Sequence, residues 1–206
     1  MLNIKNKKIL VVAPHVDDVE LGMGATVHRL KDHNEIYYLG LSFPPNVDFG
    51  EFRREFDESC EILGIKAENI MLKDFCPRDM VNRRSEILQE FYDLNRNLKP
   101  DLVFLPNSKD IHQSHHCVFN EGKRAFKYTS MLGYELPWNS LEFSMDVFIE
   151  VTEEDVQRKV RSLESFITQK ERRFFSNEIV KDLAHVRGKQ IGRDYAECFE
   201  EIRLIL

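Results

Sequence analysis

Ile9-Leu10-Val11-Val12-Ala13, an unbroken apolar run preceded by Lys7-Lys8 and closed by Pro14, decides the fold. A strand with one wet face alternates apolar and polar residues, whereas a run without alternation reads as a strand covered on both faces, as in a parallel sheet. Residues 19–33 then predict a helix, with Leu21, Ala25, Val27 and Leu30 at helical spacing and Gly22 and Gly24 allowing close approach near its start. The alternation repeats as strand 35–42, helix 49–63 closed by Gly64, strand 70–73, helix 80–98 stopped by Pro100, and strand 102–105 ended by Pro106. Beyond residue 115 the pattern predicts a helix to about Phe126, strands at 131–136 and 147–151, and a charged helix over 153–173. A closing helix is expected over 188–206, with Ile191, Tyr195, Cys198, Phe199 and Ile202 on one side. Strands separated by helices give right-handed crossovers, so the expected fold is a Rossmann-like three-layer α/β/α sandwich with a mostly parallel sheet.

The chain has 206 residues, 42% hydrophobic and 31% charged, the balance of an ordinary globular protein rather than a disordered or membrane one. At this length ~70% of the unfolded surface is buried on folding, so no disulfide scaffold is needed. No repeat, low-complexity tract or Pro/Gly/Ser linker divides the chain, and one domain over 1–206 is expected. The net charge of −6 provides no broad basic field, which argues against nucleic acid as a partner. Cys60, Cys76, Cys117 and Cys198 form no CxxC pair and read as reduced thiols. The first apolar run is too short for a signal-peptide core or a bilayer span, so a cytoplasmic protein without a membrane span is expected. No GxGxxG pattern follows the first strand, and no dinucleotide cofactor is expected.

Ligands in open α/β sheets bind beyond the carboxyl ends of the strands. Two such exits are rich in chemistry: Ala13-Pro14-His15-Val16-Asp17-Asp18-Val19-Glu20-Leu21-Gly22 after the first strand, and Asn107-Ser108-Lys109-Asp110-Ile111-His112-Gln113-Ser114-His115-His116 after strand 102–105. Adjacent carboxylates repel unless a cation or protons lie between them. If the exits meet, two imidazoles and one carboxylate can share an ion and leave a coordination position open, the donor set of a catalytic zinc. The duller alternative is a helix-capping Asp pair and an incidental cluster of histidines. Its weight falls because both features stand at strand exits of one sheet.

The segment His15-Val16-Asp17-Asp18-Val19-Glu20-Leu21-Gly22 resembles the PHPDDxxxG signature of the PIG-L/LmbE family of zinc-dependent deacetylases, with Val16 where Pro is usual. His112-Gln113-Ser114-His115 resembles the family's HxDH motif, with Ser114 in place of Asp. Weaker similarities follow at Arg53-Arg54-Glu55, at Tyr134-Glu135-Leu136-Pro137-Trp138 and around Arg187-Gly188. The resemblance implies one zinc per chain, or another divalent ion, held by His15, Asp18 and His115. It implies Asp17 as general base and His112 as oxyanion stabiliser or general acid, with His116 a weaker alternative ligand. The implied reaction removes the N-acetyl group of an amino sugar that is free, lipid-linked, nucleotide-linked or attached to another small molecule.

Arg53 is a candidate fork for a substrate phosphate or carboxylate, Trp138 for stacking on a sugar face, and Glu135 for hydrogen bonds to sugar hydroxyls. Phe174-Phe175 is a candidate loop cover or subunit contact, and self-association is left open. Two other classes compete, a metal-dependent phosphoesterase and a non-catalytic sugar- or nucleotide-binding module. The first commonly needs a second metal with further carboxylates, which are not evident here, and the second has no need of Asp17 beside a ligand.

Overall fold

The computed structural model describes residues 4–45, 47–172 and 175–205. Its centre is β1 (Lys8–His15), paired in parallel with β2 (Glu35–Ser42) on one side and β4 (Leu102–Pro106) on the other. Beyond β2 lies β3 (Ile70–Leu72), and beyond β4 lies β5 (Ser130–Tyr134), both parallel to their neighbours. β7 (Tyr195–Arg203) joins antiparallel between β5 and β6 (Val147–Val151), giving the order β3-β2-β1-β4-β5-β7-β6 among the described residues.

The apolar run of β1 is wholly buried and divides its side chains between the faces of the sheet. Ile9, Val11 and Ala13 pack with α1 (Asp18–Leu30), α2 (Phe49–Leu63) and α5 (Glu153–Glu164), while Leu10 and Val12 pack with α3 (Arg84–Leu98) and α4 (Gln113–Ala125). Each fully buried Leu, Ile or Val contributes about 1.5–3 kcal/mol, which is why the sheet accepts no polar residue here. The expected sandwich class, with its mostly parallel sheet, is the architecture found. Among the described residues, no helix is long and apolar enough to cross a membrane.

Three expectations need correction. The closing helix is replaced by α6 (Asn177–Gln190) and then β7, with Gly192 at φ 69° making the turn between them. The apolar spacing fits a helix, but β5 and β6 leave a slot between them, and Ala196, Cys198 and Phe199 fill it from a buried strand. The charged helix over 153–173 stops at Glu164; Ser165 Oγ donates to the carbonyls of Ser162 and Glu55, and a short 3-10 turn follows at Ile167–Gln169. Arg173 and Phe174 lie outside the described residues, and Phe175 sets its ring 6.1 Å from that of Phe166. The helix expected from residue 80 begins at Arg84, after a 3-10 turn at Pro77–Asp79.

Gly22 sets how closely α1 approaches the sheet. A Cβ at this position would stand 2.5 Å from Tyr134 Cδ2 and 3.3 Å from the Glu135 carbonyl oxygen. The helix bends at the next residue, Met23 (φ −149°, ψ 23°). Gly22→Ala is expected to destabilise the fold by about 1–3 kcal/mol through overpacking, outweighing alanine's helical preference. A lower urea midpoint at unchanged slope is the expected measurement.

Candidate metal centre

The chain reverses its direction of sheet-building at β1, since β2 lies on one side of it and β4 on the other. The crevice at that switch point is where the two chemical segments meet. His15 ends β1, Asp17 caps α1, Asp18 begins it, and His112 caps α4, which carries His115. A cleft of about 910 Å³ is lined by His15, Asp17, Asp18, His112, His115 and Trp138, with further walls from prolines and two arginines.

Three donor atoms converge. Asp18 Oδ2 lies 3.1 Å from both His15 Nδ1 and His115 Nε2, and the two imidazole nitrogens are 2.9 Å apart. Around a tetrahedral zinc with bonds of ~2.1 Å, ligand atoms are separated by ~3.4 Å, so this triangle is close to one face of that tetrahedron. Two nitrogens, one oxygen and an open fourth direction fit zinc. His112 brings a third imidazole, and the nitrogens of His15, His112 and His115 lie within 4.8 Å of one another, a looser set than the one with Asp18.

The electrostatics call for a cation at the same point. Burial alone would raise the Asp18 carboxyl, but His115 and then His15 reverse this and hold it well below the usual carboxylate range. Desolvation works against charge on His115, yet Asp18 and Asp110 push it up to about 10. A field that keeps a proton on a buried imidazole also favours a divalent ion in its place. Asp17 behaves in the opposite way: burial, and next the Asp18 carboxylate, push it well above the usual range, with Arg172 opposing. Burial and the two neighbouring imidazoles bring His112 down to about 4, so it is neutral at pH 7.

The backbone holds these groups in place. Asp17 has φ 147°, a region that non-glycine residues rarely adopt and that is most often stored at functional sites. Its carboxylate Oδ2 pairs with Arg172 Nη1 at 3.3 Å. The His15 N–H donates to Asp18 Oδ2 at 2.8 Å, closing the turn. On the second segment, buried Asp110 holds both His115 and His112: Oδ2 is 2.7 Å from His115 Nδ1, and Oδ1 accepts the His112 backbone N–H at 2.8 Å. His112 Nδ1 accepts the Ser114 N–H at 3.3 Å, which leaves Nε2 as the protonated nitrogen of the neutral ring.

The eight candidate site residues therefore fare differently. His15, Asp17, Asp18, His112, His115 and Trp138 share the cleft, but Arg53 and Glu135 are not among its lining. Arg53 Nε bonds the Asp57 carboxylate at 2.8 and 2.9 Å, an i,i+4 pair on the outer face of α2. Glu135 is buried against Arg187, whose Nε donates to it at 2.9 Å, so its carboxylate is occupied within the fold. His116 lies on the exposed side of α4 beside Asn120, away from the converging donors. Ser114, the departure from the second motif, is fully buried and donates to the Pro77 carbonyl at 2.9 Å.

Two residues were not singled out from the sequence. Asp110 orients His115 from outside the second motif, whose usual aspartate is Ser114 here, and its signal was its position two residues before His112. Arg172 has no signal in the sequence, being 155 residues from the aspartate it pairs with. Asp110→Asn is expected to weaken zinc affinity by ~10–100-fold, as measured by competition with a chelator. Unchanged affinity would mean that this hydrogen bond does not orient a ligand.

Residues 10–126 match the family model described as PIG-L, GlcNAc-PI de-N-acetylase. The Escherichia coli K12 protein named as the uncharacterized deacetylase YaiS is 28% identical over 170 residues, covering 77% of this chain and 90% of that protein. The diacetylchitobiose deacetylase of Thermococcus kodakarensis is 31% identical over 112 residues, 49% of this chain and 41% of that enzyme. The crystal structure of GalB, a 4-carboxy-2-hydroxymuconate hydratase of Pseudomonas putida KT2440, superposes with a TM-score of 0.80 at 18% identity, covering 97% of this chain and 98% of that one. At that identity the likeness is one of fold alone.

Proposed function

Since this chain belongs to the PIG-L (GlcNAc-PI de-N-acetylase) family, we propose that it is a zinc-dependent hydrolase that releases acetate from an N-acetylated amino sugar or amino-sugar conjugate. The observation that carries the reading is the triangle of His15 Nδ1, Asp18 Oδ2 and His115 Nε2 beside a carboxylate, Asp17, that is not one of its corners. The hydratase with the same fold means that architecture alone does not choose the reaction. The amide reading draws on the family match and on the deacetylases among the relatives.

In this reading His15, Asp18 and His115 hold the ion. When bound, zinc lowers the pKa of a coordinated water towards ~7 and polarises the amide carbonyl. Asp17 accepts a proton from the attacking water as the water oxygen bonds to the carbonyl carbon. Burial, and next the Asp18 carboxylate, raise its proton affinity above the ordinary carboxylate range, the direction a proton acceptor needs. His112 Nε2–H offers a hydrogen bond to the oxygen that gains negative charge. His112 acts here as a neutral donor rather than the acid, since loss of its remaining proton would leave an imidazolate. As the C–N bond breaks, the nitrogen takes the proton back from Asp17, giving acetate and a primary amine. Trp138 provides a flat apolar wall for a sugar face.

The test combines metal analysis with product analysis. Purified protein loaded with zinc is expected to hold one ion per chain and to release acetate and primary amine stoichiometrically from N-acetylglucosamine derivatives. Phosphate release from sugar phosphates, or sugar binding with no product, would overturn the reading.

A further inference from the structure

The charges lining the cleft are unevenly balanced. Its acidic lining residues are Asp17 and Asp18, and both are engaged, Asp17 by Arg172 and Asp18 by the two imidazoles. Its arginines are Arg172 and Arg78, and among the described residues the Arg78 guanidinium has neither an ion pair nor a hydrogen bond. Arg53, Arg83, Arg84, Arg124 and Arg187, elsewhere on the chain, each face a carboxylate. Exposed Arg29 and Arg161 also lack an ion pair among the described residues, and what sets Arg78 apart from them is its place at the cleft.

The backbone beneath Arg78 is fixed with respect to the site. Arg78 stands in the 3-10 turn Pro77–Asp79, whose Pro77 carbonyl accepts Ser114 Oγ at 2.9 Å. Met80, just after the turn, is fully buried, and its carbonyl lies 3.5 Å from Cys117 Sγ. Both bonds run to α4, the helix that carries His115 and is capped by His112. The turn is thus pinned to the same element as the chemistry, while the side chain it carries is left without a partner among the described residues. The buried serine at 114 gains a role in this arrangement, because its hydroxyl ties the Arg78 turn to the metal centre.

We propose that Arg78 is the anion-recognising residue of a substrate subsite in this cleft, and that the amino sugar hydrolysed here carries an oxyanion, a phosphate or a carboxylate. A guanidinium presents paired N–H donors that match either group, and Arg172, held by Asp17, is the second arginine of the cleft. The substrate class rests on the deacetylase reading, whereas the subsite itself is testable without turnover.

The kinetic arm compares kcat/KM at fixed ionic strength for N-acetylglucosamine, its 1- and 6-phosphates, and N-acetylmuramic acid. The zinc-loaded wild type is compared with Arg78→Ala, Arg78→Glu and Arg78→Lys. The wild type is expected to favour at least one anionic substrate over the neutral sugar by about ten-fold or more, the scale of a charge-assisted hydrogen bond. The preference should fall in Arg78→Ala and reverse in Arg78→Glu, mainly through KM, and Arg78→Lys should retain part of it. Whether the phosphates or the muramic acid carry the preference tells the two oxyanions apart.

The binding arm uses Trp138, the single tryptophan, as a reporter of cleft occupancy by the amine products glucosamine and glucosamine 6-phosphate, and by muramic acid. If nothing on the panel is hydrolysed, the deacetylase reading fails, but tighter binding of an anionic amine that Arg78→Glu abolishes still supports the subsite. Equal affinity for neutral and anionic sugars, or a preference untouched in Arg78→Glu, overturns it.

Discussion

Asp17→Asn is expected to keep its zinc and to lose turnover by roughly 10²–10⁴, the contribution typical of a positioned general base. The two halves of that expectation come from different observations. Retention follows from the donor triangle, which closes through Asp18 and leaves Asp17 outside it. Loss follows because an amide cannot take a proton from water, and Asp18, the other carboxylate lining the cleft, is engaged by His15 and His115 and cannot replace Asp17. Asparagine matches aspartate in size and shape, and an aspartate already holds the φ of 147° here, so the backbone is not by itself a reason for the variant to unfold. Zinc content with acetate release decides the matter. Full activity in Asp17→Asn sinks the base assignment, and loss of zinc makes Asp17 a ligand.

What the sequence disclosed and what it hid divide along physical lines. The continuous run Ile9 to Ala13 announced a doubly covered strand because burial on both faces is written in consecutive residues. The two chemical segments were legible because strand exits are positions along the chain, and β1 and β4 proved to be neighbours. The strand at 195–203 was hidden because its apolar spacing suits a helix as well as a slot between two strands, and only β5 and β6 together create that slot. Glu135 and Arg53 lie outside the cleft lining and are paired within the fold, which the sequence hid for a similar reason. Whether a carboxylate or guanidinium is available depends on its partner, and for Glu135 that partner is Arg187, 52 residues on. Arg172 beside Asp17 is the extreme case. At Ser114 a local motif suggested a missing carboxylate, while Asp110 supplied one from four residues earlier in the chain. Local periodicity and segment chemistry are readable from the chain, whereas charge pairing across the fold is not.

His115→Ala is expected to abolish zinc binding and to bring deacetylation down to background. His115 is 1% exposed and bonded on both ring nitrogens, to Asp18 through Nε2 and to Asp110 through Nδ1. Its removal leaves two buried carboxylates facing a void, so this variant should also be destabilised before any metal is added, by ~3–5 kcal/mol on the scale of a broken buried pair. Thermal denaturation separates the effects. If zinc binds as proposed, wild type is expected to gain about 2.7 kcal/mol at free zinc 100 times the Kd, so that its Tm rises with zinc and falls on chelation, whereas the Tm of His115→Ala should not respond to zinc. Asp18→Ala should likewise lose the zinc response. His116→Ala should keep it, because that ring lies on the exposed side of α4. His112→Ala decides between the two possible donor sets. A retained zinc response assigns the third ligand to Asp18, with His112 left to the substrate oxygen. A lost response makes the three histidines the binding set and removes His112 from the proposed role of hydrogen-bond donor.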